Sequence, residues 1–480
     1  MKNKLILIIA LVLYFNASKN TNAETSPYSQ QTHFYFNDIL THDEQKTYNQ
    51  QKQIIQQIED HKIQFVDFWF TDLLGQLREV IIPAHHVAHA LTSGLSFDGS
   101  SIPGNSTVDK SDMLLQADTA TFTIIPSVSE HTKSARIICD VYRSKNVPYE
   151  GDPRYRLKQA EKKAYDLGFE FLVGPELEFF LLNSDNTPID SDGYFSAELN
   201  LQKKENKKAL MWILKAQGVN IEKLHHEVPQ GQHEMSIRYA PAWHCADQVI
   251  IAKHTISTIA QNLGWNATFM PKPFLNENGS AMHIHFSLRN REDKTNAFYD
   301  KNDPTRLSPL AKHFIAGVLK HIQEISALLN PTENSYERLV PGYEAPVYVC
   351  WATKNRSALI RIPESDETDS CAVRAELRSP DATTNPYLAF TAILEAGLAG
   401  IENNEELPPA IEENLYTLTQ AQIKERNIPF LPISLEQALN WFAESSFVHE
   451  KLGERIVSEF IKIKHTEYSH SDKSLNSTID

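Results

Sequence analysis

The segment VGPELEFFLL, residues 173–182, sets two glutamates, Glu176 and Glu178, inside a run that otherwise reads as a buried strand. Successive strand residues point to opposite faces, so Glu176 and Glu178 share one face while Leu177, Phe179 and Leu181 line the other. Like charges held this close in a poorly hydrated interior cannot both stay ionised without cations, because each raises the pKa of the other. A bound metal satisfies the segment, and so does a two-faced strand whose polar side is wet.

Other segments repeat the oddity. In HHEVPQGQHE (225–234), a Pro-Gln-Gly interruption forms a loop that turns Glu227 and Glu234 inward, with three histidines alongside. KPFLNENGSAMHIHFSL (272–288) carries a hairpin signal at Asn278-Gly279 and then a strand. His283 and His285 share one face of that strand, opposite Met282, Ile284 and Phe286. In VRAELRSPD (373–381), Arg374, Glu376 and Arg378 share a face, and residues 334–363 add Arg338, Glu344, Arg356 and Arg361.

A guanidinium is planar, permanently charged and able to grip phosphate or carboxylate with paired donors, although each of these arginines taken singly also suits a structural ion pair. If Glu176, Glu178, Glu227, Glu234 and Glu376 converge, a pair of divalent cations nearly balances them. Oxygen-rich ligation with an imidazole fits Mg2+ or Mn2+ better than zinc. The arginines then remain for a polyphosphate such as ATP, and the chemistry inferred is metal-assisted phosphoryl transfer.

At 480 residues and 41% hydrophobic content, the chain has room for two or three domains and a large core. A formal charge of -15 excludes nucleic acid as the principal partner, which needs a basic footprint. Cys139, Cys245, Cys350 and Cys371 form no CxxC pair and are expected to be buried free thiols. Neither phosphate-loop fingerprint is present, since Ser100 stands where the Walker lysine would be.

Lys2 and Lys4 precede an apolar run that is too short to span a bilayer, and Thr21-Asn22-Ala23 matches a cleavage pattern. Residues 1–23 are therefore read as a signal peptide, which makes the protein periplasmic or secreted if it functions and cytoplasmic if it does not. Residues 24–50 read as a polar linker, with order from about Gln51. FVDFWFTDLLGQLREVIIP (65–83) reads as two strands around Gly75, in a small sheet domain over 51–149. Asp152 then caps a helix with Pro153 at its first position, and strands and helices alternate in a second domain over 150–468. Residues 469–480 read as a disordered tail.

These segments, together with FDGSSI (97–102), NSYERLVPGYEAP (334–346), NRSALIRIP (355–363) and ELRSPDATTNPYLAF (376–390), resemble bacterial type I glutamine synthetase almost continuously from residue 65 to residue 468. The resemblance implies an α+β fold, with a β-grasp N-terminal domain and a catalytic domain built on a curved antiparallel sheet with flanking helices. It also implies a homo-oligomeric ring, a hexamer or dodecamer, with active sites between subunits. Glu178, Glu227 and Glu234 would hold one metal and Glu176, His283 and Glu376 another, with a third possible beside ATP. Asp98 would reach the adjacent subunit's site to bind ammonium and help deprotonate it. Asn278, Gly279, Arg338 and Arg378 would position glutamate, while Arg356 and Arg361 would face the transferring phosphoryl group. Glu344 would close the site and accept a proton, and His285, Ser287 and Arg374 would lie towards the nucleotide.

The implied reaction is ATP-dependent ligation of ammonia to L-glutamate through γ-glutamyl phosphate. A ligase for a larger amine and a noncatalytic glutamate- or nucleotide-binding relative are the competing readings. Ala281 departs from the family pattern, standing where glycine is usual in the NGSGMH run.

Overall fold

In the computed structural model, which describes residues 44–104, 111–127, 132–366 and 368–476, the chain is organised around two sheets. Helix α1 (Glu44–Asp60) leads into the antiparallel strands β1 (Phe65–Thr71) and β2 (Leu77–Pro83), which turn at Gly75. Gly75 takes φ +76°, and a Cβ there would sit 2.9 Å from the Asn385 backbone, so both conformation and close approach demand glycine. Then come α2 (Val87–Ser93), β3 (Leu95–Asp98), β4 (Asp112–Ala117), β5 (Thr123–Ile124), β6 (Ser134–Ser144) and β7 (Val147–Pro148). The strand order is β2-β1-β6-β4-β3, with β1 and β6 parallel. Ile54 and Ile58 of α1 bury with Phe68, Phe70 and Ile137 of the sheet, and this helix-on-sheet unit is the β-grasp domain.

The second unit begins with α3 (Pro153–Asp166), whose Asp152 cap accepts the Arg154 N–H. It continues through β8 (Phe169–Leu182), α4 (Leu201–Ala216), β9 (Ile221–His226), β10 (Gln232–Ile237), β11 (Ala240–Pro241), α5 (Ala242–Leu263), β12 (Asn266–Thr268) and β13 (Met282–Asn290). After these come α6 (Pro309–Leu329), α7 (Glu333–Arg338), β14 (Trp351–Thr353), β15 (Ile360–Ile362), β16 (Ala375–Leu377) and α8 (Pro386–Glu402). Four helices follow: α9 (Gln420–Glu425), α10 (Leu435–Glu444), α11 (Ser446–Leu452) and α12 (Glu454–Asn476).

The large sheet runs β14-β15-β16-β13-β8-β10-β9, antiparallel except for the β14–β15 pair. One face of β8 buries Leu177, Phe179 and Leu181 in the main core with Met235, Met282 and the helices α5 and α8. That leaves Glu176 and Glu178 on the other face. The two units are tied by Arg154, which pairs with Asp118, Asp140 and Asp247 at 2.8, 2.6 and 2.8 Å, and by Asn385, whose amide donates to the Asp72 and Leu73 carbonyls.

The structure departs from expectation at several points. Helix α1 starts at Glu44, inside the expected linker, because residues 44–60 contain no glycine or proline to stop a helix. Helix α12 runs to Asn476, into the expected disordered tail, and no breaker follows Gly453. Asn278-Gly279 does not turn a hairpin, because β12 and β13 both pair with β8, at residues 180–182 and 169–177, and not with each other. Of the four free thiols, Cys371 is exposed while Cys139, Cys245 and Cys350 are buried. The expected export signal and most of the expected linker lie outside the described residues, among which no helix is long and apolar enough to cross a membrane.

Candidate active site

Strand register assembles the site. On β8, Glu176 stands opposite His283 of β13, and Glu178 stands opposite Glu234 of β10. On the next strand out, Glu376 pairs with His285 and with Arg361 of β15. Directly opposed residues project to the same side, so these groups share the polar face of the sheet.

Two sets of possible ligand atoms form there, each with its atoms within 4.8 Å of one another: Glu176 with His283 and Glu376, and His225 with Glu227 and Glu234. His283 Nδ1 lies 3.6 Å from Glu176 and 3.8 Å from Glu376. His225 Nε2 lies 2.9 Å from Glu227. The first set is the expected one. In the second, His225 stands where Glu178 was expected, while Glu178 accepts the Ala281 N–H at 2.8 Å. Lys223 reaches both sets, 3.3 Å from Glu234 and 3.6 Å from Glu176. His225 and Lys223 were missed by sequence reading, although their alternation along β9 was the available signal.

The two sets differ electrostatically. Burial works against the charge on Glu376, but His285, Arg378, His283 and Arg361 outweigh it and bring the carboxyl down to about 2. Arg378 bonds to Glu376 at 2.5 Å, and Arg361 lies 2.7 Å from it. Glu176 is likewise held below the usual carboxylate range, because His283 and His285 overcome the effect of burial. Burial, then Arg378, lowers His283 to about 4, so its imidazole is neutral near pH 7. Around Glu178 the sign reverses: burial, then the charges of Glu234 and Glu227, push its carboxyl well up. Glu234 is raised by burial and Glu176.

Among the described residues no arginine is paired with the carboxylates of this acidic half; Lys223 lies 3.3 Å from Glu234, Arg338 acts on Glu178 from further off, and His225 Nδ1 is buried there without a hydrogen-bond partner. Crowded carboxylates and an unused imidazole nitrogen fit a divalent cation.

The remaining candidates differ in where the fold puts them and in what holds them. Gly279 is pressed against its neighbours: a Cβ would lie 2.2 Å from the Pro271 carbonyl and 2.9 Å from Arg338 Cγ. Asn278 beside it is half-buried. Arg338 is buried and donates to the Ser379 and Arg378 carbonyls at 2.7 and 3.1 Å. Glu344 is exposed on a loop at φ +58°, an uncommon conformation for a side chain with a Cβ, and its carbonyl faces Arg378 at 3.4 Å. Arg356 is exposed. His285 links Arg374, which donates to its Nδ1 at 3.1 Å, to Glu176, 3.3 Å from its Nε2. Ser287 follows on the same face of β13. Asp98 belongs to the other sheet, where its exposed carboxylate accepts from Ser100 N and Oγ at 2.8 and 2.7 Å.

Comparison with known proteins places this arrangement. The family model described as glutamine synthetase, catalytic domain, matches residues 150–478, and that of the glutamine synthetase beta-Grasp domain matches residues 62–144. The chain belongs to the glutamine synthetase family. It is 44% identical over 411 residues to the glutamine synthetase of Thermotoga maritima, covering 84% of this chain and 92% of that one. It is 42% identical over 421 residues to that of Methanosarcina mazei, covering 86% and 93%. Among solved structures it is similar to a GmaS/ADP complex, with TM-score 0.79, 27% identity and coverage of 88% and 96%. The cryoEM structure of Plasmodium falciparum glutamine synthetase gives TM-score 0.78, 26% identity and the same coverage, 88% and 96%. The chain is a glutamate–ammonia ligase that forms glutamine at the expense of ATP. Glutamine synthetases are oligomeric, act on small molecules, and use a divalent metal with ATP.

Proposed function

We propose that Glu178, Glu227 and Glu234, with His225 beside them, hold one divalent cation, Mg2+ or Mn2+, and that Glu176, His283 and Glu376 hold a second, a third arriving with ATP. The observation that carries this reading is the contrast between Glu178, Glu227 and Glu234, which crowd together with Lys223 3.3 Å from Glu234, and Glu376, which is balanced by Arg361 and Arg378. Bound cations would neutralise the polyphosphate and the charge that develops during transfer.

The chain's own residues supply orientation and proton handling. Arg338 and Arg378 are anchored by buried carbonyl and carboxylate contacts, a rigid arrangement that, with Asn278 and Gly279, suits binding of the glutamate substrate. Arg356 and Arg361 face the phosphoryl group, while His285, Ser287 and Arg374 lie on the nucleotide side. A γ-carboxylate oxygen attacks the terminal phosphorus of ATP, the bond to ADP breaks, and γ-glutamyl phosphate forms. Ammonia then attacks the activated carbonyl carbon, the carbon–oxygen bond to phosphate breaks, and glutamine results. Asp98 binds the incoming ammonium and helps deprotonate it, and Glu344 accepts the proton released on attack.

Because Asp98 lies on the N-terminal sheet, the reading assigns it to a neighbouring subunit's site in a closed ring, hexameric or dodecameric. Residues 51–149 and 150–468 are taken as the two functional domains, and the chain as a member of the bacterial type I subgroup. Dependence on ATP favours the cytoplasm over the export implied by residues 1–23, and N-terminal sequencing of protein from fractionated cells separates the two.

The test of substrate is coupled phosphate release from ATP and glutamate, with ammonium compared against a panel of primary amines. Ammonium should give the highest kcat/KM. Preference for a larger amine would defeat the reading and point to the methyl of Ala281, which is buried beside Glu178.

A further inference from the structure

Strands β9 and β10 carry a second polar cluster on their other face. The antiparallel register sets His226 opposite His233 and His225 opposite Glu234, and strand alternation sends these two pairs to opposite sides. His226 and His233 meet Asp190, from the loop after β8. Asp190 Oδ1 accepts the Gly231 N–H at 2.8 Å and lies 2.9 Å from His226 Nε2. One ligand atom from each of Asp190, His226 and His233 lies within 4.8 Å of the others.

The proton positions make this cluster unusual. His226 Nδ1 is 2.6 Å from the Glu227 carbonyl and His233 Nδ1 is 3.2 Å from the Gly231 carbonyl. A carbonyl oxygen only accepts, so both Nδ1 atoms carry the proton; His233 Nε2 is left with a lone pair, while His226 Nε2 is within hydrogen-bond distance of Asp190 Oδ1. His233 Nε2 and Asp190 Oδ2 have no hydrogen-bond partner, and both are buried. The side chains of His226 and Asp190 are 2% and 3% exposed, and His233 is 1% exposed. Buried acceptors left without a donor, here His233 Nε2 and Asp190 Oδ2, are costly, and a cation would satisfy both. An imidazole whose far nitrogen donates to a backbone carbonyl is also oriented as metal-ligating histidines usually are.

The surrounding charge has the right sign. Asp192 and Glu198 also bring ligand atoms within 4.8 Å of Asp190, and Lys207, the cation beside them, is engaged by Glu198 at 3.2 Å.

We propose that Asp190, His226 and His233 form a site for a divalent transition-metal ion of the zinc class, distinct from the catalytic carboxylates. Two imidazoles and a carboxylate match that class, whereas the active-site sets are oxygen-rich and match Mg2+ or Mn2+. Its role is structural. His226 immediately precedes Glu227 and His233 immediately precedes Glu234, so an ion here pins the hairpin that presents both carboxylates.

The test is zinc retention by the full-length protein after dialysis against Zn2+ in excess Mg2+, which occupies the oxygen-rich sites. Wild type should retain one more zinc per chain than His233→Gln or Asp190→Asn, with all three shown to be folded by circular dichroism and size exclusion. Equal zinc content in folded variants overturns the proposal. Should neither variant fold, anomalous diffraction at the zinc edge from wild-type crystals grown under the same ions decides. A peak between Asp190, His226 and His233 supports the site, and zinc found only among the catalytic carboxylates, or nowhere, overturns it.

Discussion

His283 on β13 stands directly opposite Glu176 on β8, its Nδ1 3.6 Å from a carboxylate oxygen, whereas the residue opposite Glu178 is another carboxylate, Glu234. Residues two apart on one strand therefore sit in opposite electrical surroundings. Removing charge should act differently at the two places. Glu178→Gln relieves repulsion in metal-free protein, so its thermal midpoint in chelator should equal or exceed that of wild type. Its ligase activity should nonetheless fall by about 100-fold or more, the scale of losing a group that organises transition-state charge. A folded Glu178→Gln enzyme with normal turnover contradicts the assignment.

Gly279→Ala tests the loop that replaces the expected hairpin. The added methyl has no room against the Pro271 carbonyl and Arg338. Overpacking of this kind costs about 1–3 kcal/mol, and displacement of Arg338 should raise KM for glutamate more than KM for ATP. Steady-state kinetics with each substrate varied in turn check this, and an equal rise in both KM values counts against a glutamate-specific role.

The proposed sharing of the site between subunits predicts complementation. Asp98→Ala and Glu376→Gln proteins should each be inactive in ammonia-dependent synthesis. If they are dissociated, mixed in equal amounts and reassembled, about a quarter of sites should combine an intact Asp98 with an intact Glu376. Absence of any recovery, with mixed oligomers demonstrated, would place both residues in a single chain's site.

Stability should carry a pH signature from Asp67. On β1 its carboxyl is raised to about 6, by burial and then by the charge of Glu79, whereas its unfolded value is near 3.8. Between about pH 4 and 6 the native state therefore binds more protons than the unfolded chain, and this contribution to stability is lost as pH rises through that window. Asp67→Asn should be more stable than wild type at pH 7 by about 1 kcal/mol, allowing for solvent screening of a partly exposed group. The gain should vanish below about pH 4. Thermal melts of the two proteins at both pH values check it, and a gain independent of pH would contradict the electrostatic origin.

Much of the fold and site was legible because it is written in local periodicity. Alternation at 173–182 revealed which face of β8 is polar, Asp152-Pro153 and Asn385-Pro386 marked helix starts, and alternation placed His283 and His285 together. What was illegible depends on partners distant in sequence. The Asn278-Gly279 signal failed because β8 takes up both flanking strands, and no dipeptide encodes that. His225 joined Glu227 and Glu234 because β9 pairs with β10 in one particular register. The left-handed backbone of Glu344 has no signature in its side chain. The reach of α12 to Asn476 is hidden by a polar composition that reads as disorder, although the segment after Gly453 contains no helix breaker.

The proposed assignment gives Glu176 and Glu178 to two different metal positions. It is tested most directly by the number of Mn2+ ions bound per chain in equilibrium dialysis of wild type, Glu176→Gln, Glu178→Gln and the double variant. Two tight ions are expected in wild type, one in each single variant and none in the double variant. Retention of both ions by either folded single variant, or loss of the same ion in both, would contradict it.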